Sequence, residues 1–264
     1  MRHLACRVQY KGTRYLGFQR QSRGPTIQGV LEACLESLIG ERVTVLGAGR
    51  TDAGVHALGQ VVSFKTRSTI PIARFPQAMN SRLPEDICVM SAWEVPASFH
   101  PVRSALEKEY VYLIWNGLHP SCILGDFTWH VRGTLDVERM RRAAAILTGR
   151  HDFRAFRNEG SSARTTVREL RALTVEVEAP DPLCPPGHRL IRITARADGF
   201  LYNMMRVIVG TLVEVGRGKL PEDLSEALRT GDRTLTGPTA PARGLFLMRV
   251  IYPPELDLDI TVDV

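Results

Sequence analysis

The sequence predicts an α+β fold built from two βαββαβ halves, each a ferredoxin-like, split-βαβ unit. Two observations favour this class: stretches with the period-2 pattern of strands alternate with amphipathic helical stretches, and the same order of elements occurs twice in the 264 residues. Such halves form antiparallel-rich sheets with helices on one face and a cleft where they meet. Because no low-complexity linker separates the halves, we expect one rigid body with two domains, 1–103 and 104–264.

The first half begins with a strand over Leu4–Tyr10, where apolar side chains occupy every second position. A helix follows over Ile27–Ile39, because its apolar residues fall on one face, Thr26 is placed as its N-cap and Gly40 as its C-terminal stop. Turn residues delimit the remaining elements, which are strands at 43–48 and 60–66, a helix at about 72–82 and a strand at 87–94.

The second half repeats the pattern from Ser104, with a strand that runs through Tyr110 to Asn116. The next helix extends from its N-cap Asp136 to Thr148 and is closed by Gly149. The later elements are strands near 169–178 and 190–197, a helix at about 201–216, a short helix after Pro221 and a strand over Leu245–Tyr252. The tail Glu255–Val264 has four acidic residues and no basic one, which predicts a surface extension.

Composition narrows the class of protein. With 44% hydrophobic residues the chain can bury a large core, no apolar run has the length of a membrane span, and the N-terminal residues lack the apolar centre of a signal peptide. We therefore expect a soluble, cytoplasmic protein. The five cysteines lie far apart without a Cys-x-x-Cys pair, and their odd number favours reduced thiols over a disulfide framework or a zinc site. They are Cys6, Cys34, Cys88, Cys122 and Cys184.

The net charge of +6 is concentrated near the N-terminus, because residues 1–70 have ten Lys and Arg against four Asp and Glu. From Arg2 to Arg23 there are six basic residues and no acidic one, interleaved with three aromatic side chains. A surface that contacts phosphates and stacks on bases has this composition, and so does a solvated basic face, so both interpretations stay open. A second basic cluster, Arg141–Arg171, has eight arginines and three acids.

A glycine-rich stretch, Gly47–Phe64, has the most specific chemical signal. Its one carboxylate, Asp52, follows Arg50 by two residues and precedes His56 by four, among glycines that let a partner approach the backbone closely. A turn between two strands with an incidental surface ion pair has the same appearance.

Three chemical roles for Asp52 compete. A metal site with His56 needs further ligands, but the other histidines are scattered without matching carboxylates. A phosphate cradle is weakly indicated, because the Gly-Lys-Ser/Thr and Gly-x-Gly-x-x-Gly patterns are absent. A nucleophile or acid/base role uses the residues present, since a nearby arginine lowers the pKa of a carboxylate and keeps it ionised.

The segment Gly49–Ala57 resembles the catalytic motif of the TruA family of tRNA pseudouridine synthases. The resemblance does not rest on that motif alone, since segments similar to other family motifs follow in order along nearly the whole chain. These segments are Tyr10–Thr13, Gly17–Gln21, Thr26–Glu32, Asn80–Asp86, Phe99–His100, Lys108–Tyr112, Gly149–Phe153, Gly199–Arg206, Val209–Leu212, Gly237–Ala242 and Gly244–Leu247.

The resemblance implies a pseudouridine synthase fold with a central RNA-binding cleft, and it assigns catalytic roles. Asp52 is the expected nucleophile, which attacks the target uridine at C6 of the base or at C1′ of the ribose. Arg50 either orients Asp52 or enters the RNA where the base leaves, and Arg206 pairs with the carboxylate. Tyr110 is expected to pack against the uracil and accept the proton from C5, and Leu245 to line the pocket.

The resemblance also indicates which residues contact the RNA. Arg206 lies in an otherwise apolar helix, which supports its role independently, because a buried arginine needs an acidic partner. Tyr112 is expected to point to the other face of its strand and to pack in the core, and His56 to stabilise the loop. The substrate-binding residues expected are Tyr110, Leu245, Lys11, Arg14, Arg20, Arg23 and His56.

The implied substrate is the anticodon stem-loop of tRNA, at uridines 38, 39 and 40, and the implied assembly is a homodimer with no cofactor, metal or membrane contact. The uridine must be flipped out of its stem, and action at three neighbouring positions indicates recognition of RNA shape. Phe18, Met205, Glu107 and Glu109 depart from the family pattern without removing a group that the mechanism needs. The alternatives are a same-fold synthase for other tRNA positions, a non-catalytic RNA-binding protein, and a metal-dependent nuclease.

Overall fold

The computed structural model describes residues 1–160, 165–178, 186–256 and Leu258. They group into two compact units: Met1–Lys108 with the segment from Phe246 forms the first, and Glu109–Leu245 forms the second. Both units combine strands with helices, so the predicted α+β class is confirmed. The division near residue 103 stays a prediction.

The first unit opens with six elements in the predicted order βαββαβ. They are β1 (Arg2–Tyr10), α1 (Ile27–Ile39), β2 (Leu46–Gly47), β3 (His56–Thr66), α2 (Phe75–Asn80) and β4 (Ile87–Glu94). β1 lies between β3 and β4 and is antiparallel to both, with Leu4 opposite Phe64 on one side and Glu94 on the other. β2 is antiparallel to β3.

Helix α1 has the predicted bounds and caps. The Thr26 hydroxyl accepts a hydrogen bond from the Gly29 amide at 3.2 Å, and Gly40 ends the helix with a left-handed φ of 68°. The apolar face buries Leu31 and Leu35 completely. Local sequence alone therefore explains this element.

Two elements of this unit are shorter than predicted. β2 has only two residues, because the Val45 amide donates to the Glu32 carboxylate at 3.1 Å instead of to a neighbouring strand. α2 begins only at Phe75, because Pro76 lacks an amide hydrogen and is accommodated only in a first turn. A 3-10 turn, Ile72–Arg74, occupies the start of the predicted helix.

The elements that follow are β5 (Glu107–Asn116), β6 (Trp129–Val131), α3 (Val137–Leu147), β7 (Gly149–Asp152), β8 (Val167–Val177), β9 (Arg189–Ala197), α4 (Met204–Gly216) and α5 (Ser225–Thr230). In the second unit the strands lie in the order β5, β9, β8, β7, and β8 is antiparallel to both of its neighbours. β6 pairs in parallel with β5. The sequence did not predict β6 or β7, because strands of three or four residues show no measurable periodicity.

The helices of the second unit follow their capping residues. The Asp136 carboxylate accepts a hydrogen bond from the Arg139 amide at 3.0 Å, as its predicted N-cap role requires. α4 begins at Met204 and not near 201, because Asn203 adopts a left-handed φ of 59° that interrupts the chain before the helix.

The last strand, β10 (Leu245–Ile251), is divided between the units after its first residue. Phe246 lies opposite His56, in a parallel pairing of β10 with β3. Glycine is required for this approach, because a Cβ at Gly59 would lie 2.2 Å from the carbonyl oxygen of Met248. The C-terminal strand thereby supports the start of β3, where the glycine-rich loop ends.

In the described ranges no helix is long and apolar enough to cross a membrane. The four described cysteines, Cys6, Cys34, Cys88 and Cys122, are free thiols. Cys184 and most of the tail Glu255–Val264 lie outside the described residues.

Candidate active site

The glycine-rich loop connects β2 to β3 and presents Asp52 at a turn. The Asp52 carbonyl accepts a hydrogen bond from the Val55 amide at 3.1 Å, and Gly54 supplies the positive φ of 79° that the turn needs. The Asp52 side chain is half-buried, between buried Thr51 and exposed Ala53. A carboxylate in this position is presented by a defined backbone and remains accessible to a ligand.

The basic N-terminal loop packs directly on the Asp52 loop. The Phe18 amide donates to the Thr51 carbonyl at 3.0 Å, and the Gly54 amide donates to the Tyr15 carbonyl at 3.3 Å. Gly17, with a φ of 91°, lies so close that a Cβ there would be 2.7 Å from the Thr51 oxygen. The N-terminal and glycine-rich motifs therefore form one substructure.

Two of the predicted RNA-binding arginines are held by carboxylates. Arg14 contacts Asp86 at 2.7 Å and Arg20 contacts Glu32 at 2.7 Å, yet their side chains remain 70% and 68% exposed. Arg23 is exposed and forms no salt bridge with any residue that the structure describes. The positive potential of this surface is therefore smaller than the count of basic residues suggests.

Asp86 organises the basic loop from the start of β4. Its carboxylate accepts hydrogen bonds from the Tyr15 hydroxyl at 2.7 Å and from Arg14 at 2.8 Å, while its carbonyl accepts one from the Lys11 amide at 2.9 Å. Burial disfavours the charged carboxylate, but the Tyr15 and Arg14 bonds outweigh it, so the pKa of Asp86 is lowered. Burial, with the bond to Asp86, raises the pKa of Tyr15 to about 12, which keeps this donor protonated.

Arg50 and His56 differ in their surroundings although both are close to Asp52 in sequence. Arg50 is exposed. His56 is buried: its Nδ1 accepts a hydrogen bond from the Gly12 amide at 3.0 Å, and its ring stacks on Phe246 with centroids 4.9 Å apart. The imidazole thus connects the basic loop, β3 and β10.

In the second unit, Arg206 lies in the first turn of α4 with a fixed guanidinium. Its Nε donates to the Ala240 carbonyl at 2.7 Å, and its Nη1 donates to the Asn203 side-chain oxygen at 2.8 Å. The left-handed backbone of Asn203 places that oxygen beside the helix start. Two contacts on different nitrogens define the plane of the guanidinium.

The two tyrosines of β5 are two residues apart and so share one face of the strand, which makes the expected placement of Tyr112 on the other face wrong, but their surroundings differ. Tyr110 is 8% exposed, and its ring contacts Phe200 edge-on at 4.8 Å. Tyr112 is completely buried and donates to the Pro241 carbonyl at 2.7 Å. Burial raises the pKa of Tyr112 far above its usual value, and the charges of Arg206 and Arg243 offset this only in part. Tyr112 is a packing residue, as expected.

The candidate residues thus divide into two sets. Asp52, Arg50 and His56 belong to the first unit with the four basic residues of the N-terminal loop, while Tyr110, Arg206 and buried Leu245 belong to the second. No three His, Cys, Asp or Glu side chains in the described part of the chain cluster as metal ligands would.

Sequence reasoning missed one polar residue of this region. Gln60 is 0% exposed in β3 and contacts the backbone of the Asp52 loop. The sequence contains a signal for it: Gln60 is a polar residue at the start of a predicted strand, directly before the apolar residues Val61 and Val62.

Comparison with known proteins finds a family model and relatives that match most of the chain. A family model described as tRNA pseudouridine synthase matches residues 7–103 and 143–253. The chain is 44% identical to tRNA pseudouridine synthase A of Acetivibrio thermocellus over 253 residues, which cover 96% of this chain and 100% of the relative. It is 46% identical to tRNA pseudouridine synthase A of Moorella thermoacetica over 252 residues, which cover 94% and 99%. A crystal structure of a Cbf5-Nop10-Gar1 complex aligns with a TM-score of 0.36 and 14% identity, over 80% of this chain and 45% of that one.

Proposed function

Because the chain belongs to the tRNA pseudouridine synthase family, we propose that Asp52 is the nucleophile with which it isomerises uridine to pseudouridine at positions 38, 39 and 40 of the tRNA anticodon stem-loop. The enzyme is an isomerase that forms pseudouridine in tRNA. One observation carries the assignment of Asp52: it is the one carboxylate of the glycine-rich loop, and it lies half-buried at a turn that the basic loop braces.

The reaction moves the base from one attachment to another without net change in composition. Asp52 adds to C6 of the base or to C1′ of the ribose, and the bond between C1′ and N1 breaks. The base then rotates and reattaches to C1′ through C5, and the bond to Asp52 breaks, which regenerates the free carboxylate. The C5 hydrogen leaves as a proton and N1 gains one, so no oxidant or reductant is needed. We assign the acceptance of the C5 proton to Tyr110, whose buried ring suits contact with uracil.

The two arginines take different roles in this proposal. Arg206 pairs with the Asp52 carboxylate, and its bonds to Ala240 and Asn203 support this role because they hold the guanidinium in one orientation. Arg50 enters the RNA where the uridine leaves the stem, a role that its exposed side chain supports over orientation of Asp52. Base flipping costs a few kcal/mol.

The remaining contacts follow from the basic N-terminal loop. We propose that Lys11, Arg14, Arg20 and Arg23 contact the phosphates of the stem, which offsets the cost of base flipping. Leu245 lines the uracil pocket, and His56 supports the loop from below through Gly12 and Phe246. We further propose that the enzyme is a cytoplasmic homodimer that works without a cofactor.

Release of tritium from tRNA labelled at C5 of uridine, measured with EDTA present, tests the proposal. We expect wild-type protein to release the label and leave the strand intact, and Asp52→Asn to release none while it still binds tRNA. The matched control is Glu85→Gln, which changes an exposed carboxylate of the same unit and should keep full activity.

Other outcomes separate the alternatives. Turnover by Asp52→Asn would overturn the nucleophile assignment. In a parallel reaction with a divalent metal and without EDTA, strand cleavage that EDTA abolishes would identify a nuclease. Binding without release in either reaction would identify a silent RNA-binding protein. Transcripts with a single uridine at position 38, 39 or 40 test the site of action, and release from a transcript that lacks all three would assign the enzyme to other positions.

A further inference from the structure

The buried amide of Gln60 replaces a backbone partner at the point where the Asp52 loop leaves the sheet. The β2–β3 ladder pairs Leu46 with Ser63 and Gly47 with Val62, and this register places Gly49 opposite Gln60. The Gly49 amide donates to the Gln60 Oε1 at 3.1 Å, and the Gln60 Nε2 donates to the Gly49 carbonyl at 2.7 Å. The side chain thus satisfies both backbone groups of the residue that precedes Arg50.

A second contact extends from the same amide to the residue that precedes Asp52. Gln60 Nε2 also donates to the Tyr10 hydroxyl at 3.3 Å, and the Tyr10 oxygen lies 2.8 Å from the Thr51 Oγ1. The Tyr10 and Thr51 hydroxyls thus share one hydrogen bond, in which either oxygen can be the donor. Burial raises the pKa of Tyr10 to about 12, so the hydroxyl stays protonated and uncharged at neutral pH.

The two contacts fix the backbone on both sides of Arg50. Gly49 is held through the Gln60 amide and Thr51 through the Tyr10 hydroxyl, so the chain is anchored immediately before each of Arg50 and Asp52. Gln60, Tyr10 and Thr51 are all buried, which makes their hydrogen bonds strong and their loss costly. An apolar residue would fill the same volume in the core without determining the path of the loop.

We propose that Gln60, acting with Tyr10, is a positioning residue for catalysis: its amide sets where the loop leaves the sheet and thereby where the Asp52 carboxylate and the Arg50 side chain are presented. The inference rests on the proposed function, because it assigns a role to residues that do not touch the uridine themselves. It predicts an effect on the rate of the chemical step and none on the affinity for tRNA.

The test compares variants that remove the network with a variant that removes a comparable bond elsewhere. Gln60→Met keeps the length of the side chain but makes no hydrogen bond, and Tyr10→Phe removes the hydroxyl alone. The matched control is Tyr252→Phe, since the Tyr252 hydroxyl is also buried in the first unit and donates to the Pro101 carbonyl at 2.7 Å. For each variant the single-turnover rate, the Kd for tRNA and the urea midpoint are measured.

We expect the single-turnover rate to fall about 100-fold for Gln60→Met, since a displacement of the reacting group by about 1 Å costs about 100-fold in rate. For Tyr10→Phe, which removes only one of the contacts, we expect a fall of about 10-fold. The Kd should stay within about twofold of wild type in both. Tyr252→Phe should shift the urea midpoint as much as Tyr10→Phe does and leave the rate unchanged. Combining Gln60→Met with Tyr10→Phe should cost little more than Gln60→Met alone, because both act through one network.

Each contrary result has a defined meaning. A folded Gln60→Met with a rate near wild type, or with weaker tRNA binding at an unchanged rate, overturns the inference. If Gln60→Met does not fold, the comparison of Tyr10→Phe with Tyr252→Phe replaces it, and equal single-turnover rates for these two variants overturn the inference. An Asp52→Asn variant assayed in parallel separates the two proposals: an active Asp52→Asn contradicts the proposed nucleophile, whereas an inactive one beside a fully active Gln60→Met contradicts only the positioning role.

Discussion

Gly17→Ala perturbs the Asp52 loop from the side of the basic loop. Gly17 has a φ of 91°, which a residue with a Cβ rarely adopts. The new Cβ would lie 2.7 Å from the Thr51 oxygen and 3.2 Å from the Ala53 nitrogen. Both are backbone atoms, so no side chain can rotate away and the loop itself must move.

The loss of stability and of rate follows from the unfavourable backbone conformation and from the steric overlap of the new Cβ. The left-handed backbone costs a Cβ-bearing residue about 1–2 kcal/mol, and overpacking against rigid atoms adds about 1–3 kcal/mol, so the free energy of unfolding should fall by about 2–5 kcal/mol. Relief of the overlap needs a shift of roughly 0.5 Å. Since about 1 Å of misplacement costs about 100-fold in rate, the single-turnover rate should fall about 10-fold.

Gly40→Ala is the matched control for this change. Gly40 has a φ of 68° in the same unit, but a Cβ there meets nothing within 4 Å. This variant should lose only the backbone term of about 1–2 kcal/mol and keep the rate of wild type. Urea unfolding and single-turnover tritium release measure the two quantities. Equal stabilities for both variants, with an unchanged rate for Gly17→Ala, would refute the argument that Gly17 determines the position of the loop.

Three further predictions use other contacts of the first unit. Arg23→Ala should lower the slope of log Kd against log salt by about 0.7–0.9, and Arg20→Ala by less because Glu32 already neutralises it; an unchanged slope for Arg23→Ala places the RNA elsewhere. Asp86→Asn should destabilise the protein at neutral pH. The pKa of Asp86 is lower in the folded protein than in the unfolded chain, so its carboxylate stabilises the fold fully above the unfolded pKa of about 3.9. This stabilisation is lost as the pH falls through the folded pKa, so in urea unfolding the stabilities of wild type and Asp86→Asn should converge towards about pH 3. Thr26→Ala should cost about 1 kcal/mol in urea unfolding and Thr26→Ser much less, and equal losses would deny a capping role.

Local signals in the sequence predicted the elements whose ends are determined locally. α1 and α3 have the predicted starts, because Thr26 and Asp136 cap them with their own side chains. β2 is cut short by a bond from Val45 to Glu32, a residue of α1, which no pattern in residues 43–48 indicates. The parallel pairing of β10 with β3 likewise joins segments that the sequence keeps far apart.

In the candidate site, too, the sequence indicates which residues to consider but not which residues surround them. The glycine-rich motif singled out Asp52, Arg50 and His56 as candidates, but the count of basic residues overstated the free positive charge. Arg14 and Asp86 are 72 positions apart in sequence, and only the fold brings them to 2.7 Å. A charge count contains no information about such partners.

The loop that presents Asp52 is held by three segments that are separate in sequence. Tyr10 comes from β1 and bonds the Thr51 side chain, Gln60 comes from β3 and bonds the Gly49 backbone, and Gly17 of the basic loop lies against the backbone from Thr51 to Ala53. The loop itself supplies glycines, Arg50, the Thr51 hydroxyl and one carboxylate, and their placement is a property of the whole unit. Such a support favours the nucleophile role that we propose for Asp52, because a carboxylate held by the unit itself needs less reorganisation in the chemical step.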